Sequence, residues 1–212
     1  MYPPRQQLWL SAKAMFKIQE SSIQDLHPTQ VTVGLIEVLD KKKHLLSMKP
    51  EAQRSFLRDH PVPAVVGPRG RLYITDHHHL GRAALDAGVS TGFFEVEADL
   101  SNLGLDRFWT EMDKNLWVHP LDENGIRHYY SAIPHSLSQL IDDVYRSLAG
   151  YVRHAHAYEK TPTAFAEFVW ADFFRRSIPI ELVRADFKKA VDTGVSLARS
   201  HLAQGLPGYK PK

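Results

Sequence analysis

The sequence predicts an α+β fold in which a small mixed sheet with short helices is followed by a mostly helical second half. In the first half, short runs of β-branched and aromatic residues alternate with helical segments and with turns rich in Gly and Pro. In the second half, the apolar residues recur at spacings near three and four. This change predicts an α+β domain over residues 1–100 and a mostly helical portion, packed on it, over residues 101–212.

The first half contains local signals for strands, helices and one hairpin. Pro50 stands at the first turn of a helix, and Gly88 follows a helical segment at the position that favours a left-handed residue. Ile36, Leu39 and Leu46 are expected to form the apolar face of the first helix. The predicted elements are strands or strand edges at residues 7–10 and 31–33, helices at 34–48 and 51–58, strands at 62–66 and 72–75 joined by a Gly/Pro turn, a helix at 80–87 and a strand at 93–97.

The second half predicts a segment at residues 105–116, a loop that contains Pro120, and then three helices at residues 137–157, 162–176 and 180–204. The middle one of these helices is the richest in aromatic residues, and their spacing is typical of a helix face that enters a core. The residues expected on this face are Phe165, Phe168, Val169, Phe173 and Phe174.

The composition limits the classes of function. Lysine and arginine number 26 and acidic residues 24, so the net charge is only +2. A protein that neutralises many phosphates usually has a larger basic excess, so this balance disfavours extended nucleic-acid binding without excluding it. The chain has no cysteine, which excludes disulfides, thiolate catalysis and cysteine zinc sites.

No membrane association is expected from the hydropathy pattern. The longest uncharged apolar runs, such as residues 62–67, are far shorter than the roughly 20 residues that a membrane span needs. The first five residues lack a basic-then-apolar secretory pattern. We therefore expect a cytoplasmic protein.

The segment around residues 73–84 is the most informative in the chain. A strand that ends in a tight turn and opens a helix presents backbone N–H groups and the positive helix end at one place, which suits a phosphate or carboxylate. His77, His78 and His79 could add hydrogen bonds or protons there, and Arg82 could add charge. In the alternative, Asp76 caps the helix and the histidines are solvated.

A metal site is a further alternative for the same histidines. Consecutive residues on a helix point about 100° apart, so three of them cannot all reach one ion. His77 and His79 could do so from an irregular turn, whereas His154 and His156 form a second pair that fits a helix surface.

Two acidic residues lie among apolar neighbours. Glu37 is a candidate general base if burial raises its pKa, and in the alternative it lies on the exposed helix face and pairs with Lys41. Asp172 lies among aromatic residues, where it either faces a cleft or anchors Arg175 or Arg176.

Several of these segments together resemble the ParB/sulfiredoxin superfamily. The strand followed by Asp76–His79 and a helix resembles its second motif. Thr29 and Gln30, with Glu37 on the following helix, resemble its first motif. Residues 145–148, 158–161 and 165–175 resemble the ParB-like nuclease branch, so that the resemblance covers most of the chain.

The resemblance implies a small α+β domain that binds a nucleotide or phosphate at the second motif. The sulfinic acid reductases of this superfamily need a cysteine there, which this chain lacks. His77 stands where a glycine or an acid is usual, and Leu80 where the DNA-clamp relatives have an arginine. The free serine kinases, to which the similarity is distant, have a glutamate as the proposed base at the position of Glu37.

The function expected from this resemblance is phosphoryl chemistry on a small hydroxylated metabolite, with ATP or ADP and Mg as cofactors. A small-molecule substrate and a nucleotide are therefore the expected partners. The alternative is a ParB-like nuclease or nucleic-acid-binding protein. The residues assigned are Glu37, His78 and Asp76 for catalysis, His77, His79, Arg82, Thr29 and Gln30 for phosphate or nucleotide binding, and Asp172, Arg146 and Lys160 for substrate binding.

Overall fold

The structure is a computed structural model that describes residues 18–211; the predicted strand at residues 7–10 lies outside them. These residues form seven strands, eight α-helices and four short 3-10 turns. The strands are β1 (Ile18–Ser22), β2 (Leu26–His27), β3 (Thr32–Val33), β4 (Val62–Val66), β5 (Leu72–Ile74), β6 (Thr91–Asp99) and β7 (Ile141–Asp142). The helices are α1 (Leu35–Leu46), α2 (Pro50–Asp59), α3 (His78–Asp86), α4 (Leu105–Lys114), α5 (Val144–His154), α6 (Ala166–Ser177), α7 (Ile180–Ala185) and α8 (Phe187–Ala198).

Five strands form one mixed sheet in the order β1-β6-β4-β5-β2. The pairs β1–β6 and β4–β5 are antiparallel, whereas β4–β6 and β2–β5 are parallel. The turn of the β4–β5 hairpin places Arg69 at φ 64° and Gly70 at φ 71°, and the second of these left-handed positions suits a glycine. The predicted α+β class and the predicted hairpin are therefore confirmed.

Helices pack their apolar faces against both faces of this sheet. Ala64 and Ile74 pack in a core cluster that includes residues of α1 and α3. The adjacent residues Val65 and Tyr73 pack in a second cluster with Phe108 of α4. Since successive side chains of a strand point to opposite faces, α4 lies across the sheet from α1 and α3. This arrangement fixes α1 and α3 against each other on one face.

The predicted apolar face of α1 is wrong. Val38 and Leu45 are buried, whereas Leu39 and Leu46 are 52% and 59% exposed. The helix carries apolar residues on two faces, and the buried face is the one that also contains Glu37. Periodicity alone favours a wholly apolar face. Because the face that packs on the core includes an acidic residue, the pattern predicts the other face.

Residues 143–211 form a helical unit with its own core. Helix α5 packs against α6, α7 and α8. Trp170, Phe173 and Phe174 of α6 are buried in this core, and Trp170 stacks on Tyr158 with ring centroids 4.1 Å apart. The expected aromatic face is thus confirmed for Phe173 and Phe174, but Val169 is 38% exposed.

Two of the long helices predicted in the second half are interrupted. Residues 137–157 contain a 3-10 turn, the strand β7 and then α5, because the Asp143 carboxylate accepts the Tyr145 N–H and caps a new helix there. Residues 180–204 are divided into α7 and α8 at Asp186, whose carboxylate accepts the Lys189 N–H. In both places an aspartate caps a new helix, although the apolar residues continue at a helical spacing.

By their internal contacts, the described residues form two compact units, 18–142 and 143–211. The division into domains at residue 100 stays a prediction, since compactness does not show which part folds independently. Among residues 18–211 no helix combines the length and the apolar character that a membrane span requires.

Candidate functional site in the unit of residues 18–142

Helix α3 begins at His78, two residues earlier than predicted, and this residue binds the segment that carries the first motif. The Thr29 backbone N–H donates to His78 Nε2 over 3.1 Å, and Thr29 Oγ1 donates to the Ile74 carbonyl over 2.8 Å. A backbone N–H can only donate, so His78 Nε2 accepts and the ring is neutral with its proton on Nδ1. Thr29 and His78 are both buried, and they join the two motifs.

The second histidine of α3 lies beside Glu37. The Gly34 N–H donates to His79 Nε2 over 3.0 Å, and the same nitrogen lies 3.3 Å from Glu37 Oε2. Glu37 is 7% exposed, so its predicted alternative position on the exposed face of α1 is wrong. It lies in the first turn of α1, where the positive end of the helix dipole favours a carboxylate.

Asp142 holds the beginning of α1 and was not predicted from the sequence. Its Oδ1 accepts the Leu35 N–H over 2.9 Å, and its strand β7 pairs in parallel with β3. The contact joins residues 107 positions apart, so no local pattern could have revealed it. Asp142 and His79 together accept the N–H groups of Leu35 and Gly34 at the helix start, and this fixes the helix that carries Glu37.

Asp76 and His77 occupy the exposed turn before α3. Asp76 Oδ1 accepts the His77 N–H over 2.7 Å, and His77 has the left-handed angles φ 60° and ψ 25°. A glycine adopts these angles without strain, whereas a residue with a Cβ, such as His77, adopts them at a cost. Leu80, where the clamp relatives have an arginine, is buried in the core.

The other two predicted phosphate ligands make internal contacts. Arg82 Nε donates to both carboxylate oxygens of Asp86 over 3.0 Å, and its guanidinium also reaches the carbonyls of Leu137 and Leu140. Gln30 is buried, and its Nε2 donates to the Thr32 carbonyl over 2.6 Å. Their assignment as phosphate ligands stays a prediction.

The three predicted substrate residues all belong to the unit of residues 143–211. Asp172 forms an ion pair with Arg175, as its anchoring alternative predicts. The Arg146 guanidinium lies 5.4 Å from the centre of the Phe168 ring, and Lys160 is exposed. Their role in substrate binding stays a prediction.

Asp143 is a buried carboxylate that sequence reasoning missed in the same unit. Its Oδ2 accepts from Arg175 over 2.7 Å, and its Oδ1 caps α5. Burial raises the pKa of Asp143, and the Arg175 charge opposes this effect only in part. The signal that could have found it is its position as a helix N-cap before Val144.

The described part of the chain contains no group of three or more His, Asp or Glu side chains that could hold a metal ion. The alternative that His77 and His79 bind a metal therefore stays a prediction that no ligand cluster supports.

The fold and the joined motifs define an α+β protein of the ParB/sulfiredoxin type. The model of the family described as "Putative ParB-like nuclease" matches residues 19–176, and the chain belongs to this family. A solved structure, that of protein Atu1540 from Agrobacterium tumefaciens, is 39% identical and superposes with a TM-score of 0.87 over 92% of this chain and 97% of that chain. The comparison with curated proteins found no match. The family match supports the nuclease alternative better than the kinase hypothesis.

Proposed function

We propose that this protein cleaves phosphodiester bonds in nucleic acid and that Glu37 and His79 together act as its general base. The observation that carries the proposal is the 3.3 Å distance between Glu37 Oε2 and His79 Nε2 at the first turn of α3. The family to which the chain belongs supports the reaction class.

The pair is suited to take up one proton. While His79 Nε2 accepts the Gly34 N–H, the nitrogen is unprotonated and faces the Glu37 carboxylate without a proton between them. A proton removed from an attacking water can bind His79 Nε2 only if the single lone pair of that nitrogen leaves the Gly34 N–H, so the 3.0 Å bond breaks as the proton is taken up. The new N–H then donates to Glu37 Oε2, and the contact between two acceptors becomes a charge-assisted hydrogen bond in a largely buried place.

The beginning of α3 is the proposed place of the scissile phosphate. Its N–H groups and dipole favour a negative charge, and the exposed His77 is accessible to a phosphate oxygen. As the water oxygen bonds to phosphorus, the P–O bond to the leaving sugar oxygen breaks, and this oxygen takes its proton from solvent. We also propose that Asp76, exposed at the same turn, orients the leaving group. The net charge of +2 favours a substrate that needs few phosphate contacts, such as a single strand or a strand end.

A second candidate is phosphoryl transfer to a small hydroxylated metabolite, with ATP or ADP and Mg. The observation that favours it is the burial of Glu37 on the helix after the first motif, where the serine kinases have their proposed base. The same pair would then take the proton of a substrate hydroxyl instead of that of water.

The test compares Glu37→Gln with the matched variant Glu51→Gln, which changes an exposed glutamate in the first turn of α2. End-labelled single-stranded DNA, duplex DNA and RNA are incubated with each protein, and the products are separated by length. Loss of a general base lowers the rate by about 10²–10⁴-fold, so we expect this loss for Glu37→Gln and none for Glu51→Gln.

The same proteins are assayed with ATP and a panel of small hydroxylated metabolites. Phosphorylated product without nucleic-acid cleavage would replace the nuclease proposal by the second candidate. Cleavage that is equally fast in wild type and Glu37→Gln, with unchanged melting temperatures, would refute the role of the pair.

A further inference from the structure

A second group of polar side chains lies on the face of the sheet that α4 covers. In the parallel β2–β5 pair, His27 is opposite Tyr73, and their rings stack with centroids 5.0 Å apart. Arg71 precedes Tyr73 by two residues, so it extends from the same face of the strand. His27 and Arg71 are therefore neighbours at the edge of the sheet, where β2 is the last strand.

His135 completes this group from the segment that follows α4. The backbone and the side-chain charge of His135 both act on the pKa of His27, so His135 lies near the His27 ring. Burial lowers the pKa of His27, and the positive charges of Arg71 and His135 lower it further. The backbone of His135 and the charge of Asp25 oppose this effect.

The group brings one guanidinium and two imidazoles together without a bound counter-charge. Within residues 18–211, the exposed side chains of Arg71 and His135 form no hydrogen bond or ion pair, and Asp25 is bonded to neither. Like charges that the fold holds together repel each other, and a bound anion removes that repulsion. A guanidinium and imidazole N–H groups are the donors that bind phosphate oxygens in proteins.

We propose that His27, Arg71 and His135 form a phosphate-binding subsite, separate from the Glu37–His79 pair. Its ligand is a phosphate group, either of a nucleic-acid strand or of free phosphate. The subsite does not depend on the proposed nuclease activity, because neither Glu37 nor His79 belongs to it.

The test follows the imidazole carbon–proton signals of the histidines by NMR while the pH is varied. The His27 signal among the 12 histidines is assigned with His27→Gln. Inorganic phosphate or a short single-stranded oligothymidylate is added, with sodium chloride at equal ionic strength as the reference. The chloride reference is required because salt screening of Arg71 and His135 also raises the pKa of His27.

We expect phosphate or the oligonucleotide to raise the pKa of His27 by about one pH unit above the chloride reference. In Arg71→Gln the starting pKa should be higher and the additional rise should be lost, whereas the exposed control Arg176→Gln should behave as wild type. A rise with inorganic phosphate identifies a free-phosphate site, and a rise with the oligonucleotide alone identifies a strand site. No rise with either ligand, or an equal rise in Arg71→Gln, overturns the proposal.

The outcome is separable from that of the nuclease proposal. The same titration is repeated in the Glu37→Gln protein, where the rise in the His27 pKa should persist even if all cleavage is lost. If cleavage is never observed but the rise is, the subsite stands and the reaction class fails.

Discussion

The hydroxyl of Thr29 offers a direct test of the contact between the two motifs. Thr29→Val removes the hydroxyl and keeps nearly the same side-chain shape. Thr29 is 1% exposed and Ile74 is fully buried, so no water replaces the 2.8 Å bond from Thr29 Oγ1 to the Ile74 carbonyl. A buried polar group that loses its hydrogen-bond partner destabilises the fold by about 1–3 kcal/mol. We therefore expect the free energy of unfolding to fall by about 2 kcal/mol.

Thr110→Val is the matched control for this measurement. Thr110 Oγ1 also donates to a backbone carbonyl over 2.8 Å, that of Asp106, but this bond lies at an exposed site of α4. Water replaces a lost bond at such a site, so the free energy of unfolding should change by less than about 0.5 kcal/mol.

Urea denaturation followed by circular dichroism measures the free energy of unfolding of both variants. In a thermal melt, the melting temperature should fall by roughly 4–8 °C for Thr29→Val, since 1 kcal/mol corresponds to about 2–4 °C in a chain of this size. Equal stability of Thr29→Val and Thr110→Val would refute the reasoning, because it would mean that the buried carbonyl does not need the Thr29 hydroxyl.

Two further predictions concern a buried charge and a strained backbone. Burial raises the pKa of Asp143 above its ordinary value of 3.8. The stability that this carboxyl contributes is therefore fully present below pH 3.8, and it is lost as the pH rises through the pKa of the folded state. Urea denaturation over a pH series should therefore show Asp143→Asn gaining stability relative to wild type as the pH rises from 3.8 towards neutrality, and a relative loss would contradict the cause given. His77 has φ 60°, and both His77→Gly and His77→Ala remove its imidazole, but only His77→Ala keeps a Cβ at this strained position. The free energy of unfolding should therefore be about 1 kcal/mol larger for His77→Gly than for His77→Ala. Equal melting curves for these two variants would show that the left-handed position carries no strain.

The parts of the fold that the sequence predicts correctly are those with local signals. The β4–β5 hairpin follows from the turn residues 67–70, and the end of α3 follows from Gly88, which has φ 76°. The pairing of β3 with β7 joins Thr32 to Ile141 and has no local signal, so the segment before α5 was predicted to be helical. A two-residue strand is also too short to show the alternation by which strands are recognised.

For the candidate site, the sequence identifies residues but not their partners. Glu37 is an acid among apolar residues, but the spacing of the apolar residues along α1 is the same whether Glu37 is exposed or buried. Only the packing of α1 against α3 places it beside His79. Asp142 shows no pattern at all, because its role at the start of α1 depends on the β3–β7 pairing.

The three consecutive histidines show why neighbours in a motif serve different purposes. Because side chains diverge by about 100° per residue on a helix, His78 reaches Thr29 while His79 reaches Gly34 and Glu37. Both rings accept backbone N–H groups through Nε2, so a metal ion could bind these nitrogens only by displacing those N–H groups. His79 Nε2 also lies 3.3 Å from a carboxylate oxygen of Glu37. A substitution of His78 should therefore act first on the stability of the joined motifs, whereas a substitution of His79 should, under the proposed function, also remove the partner of Glu37 in proton uptake.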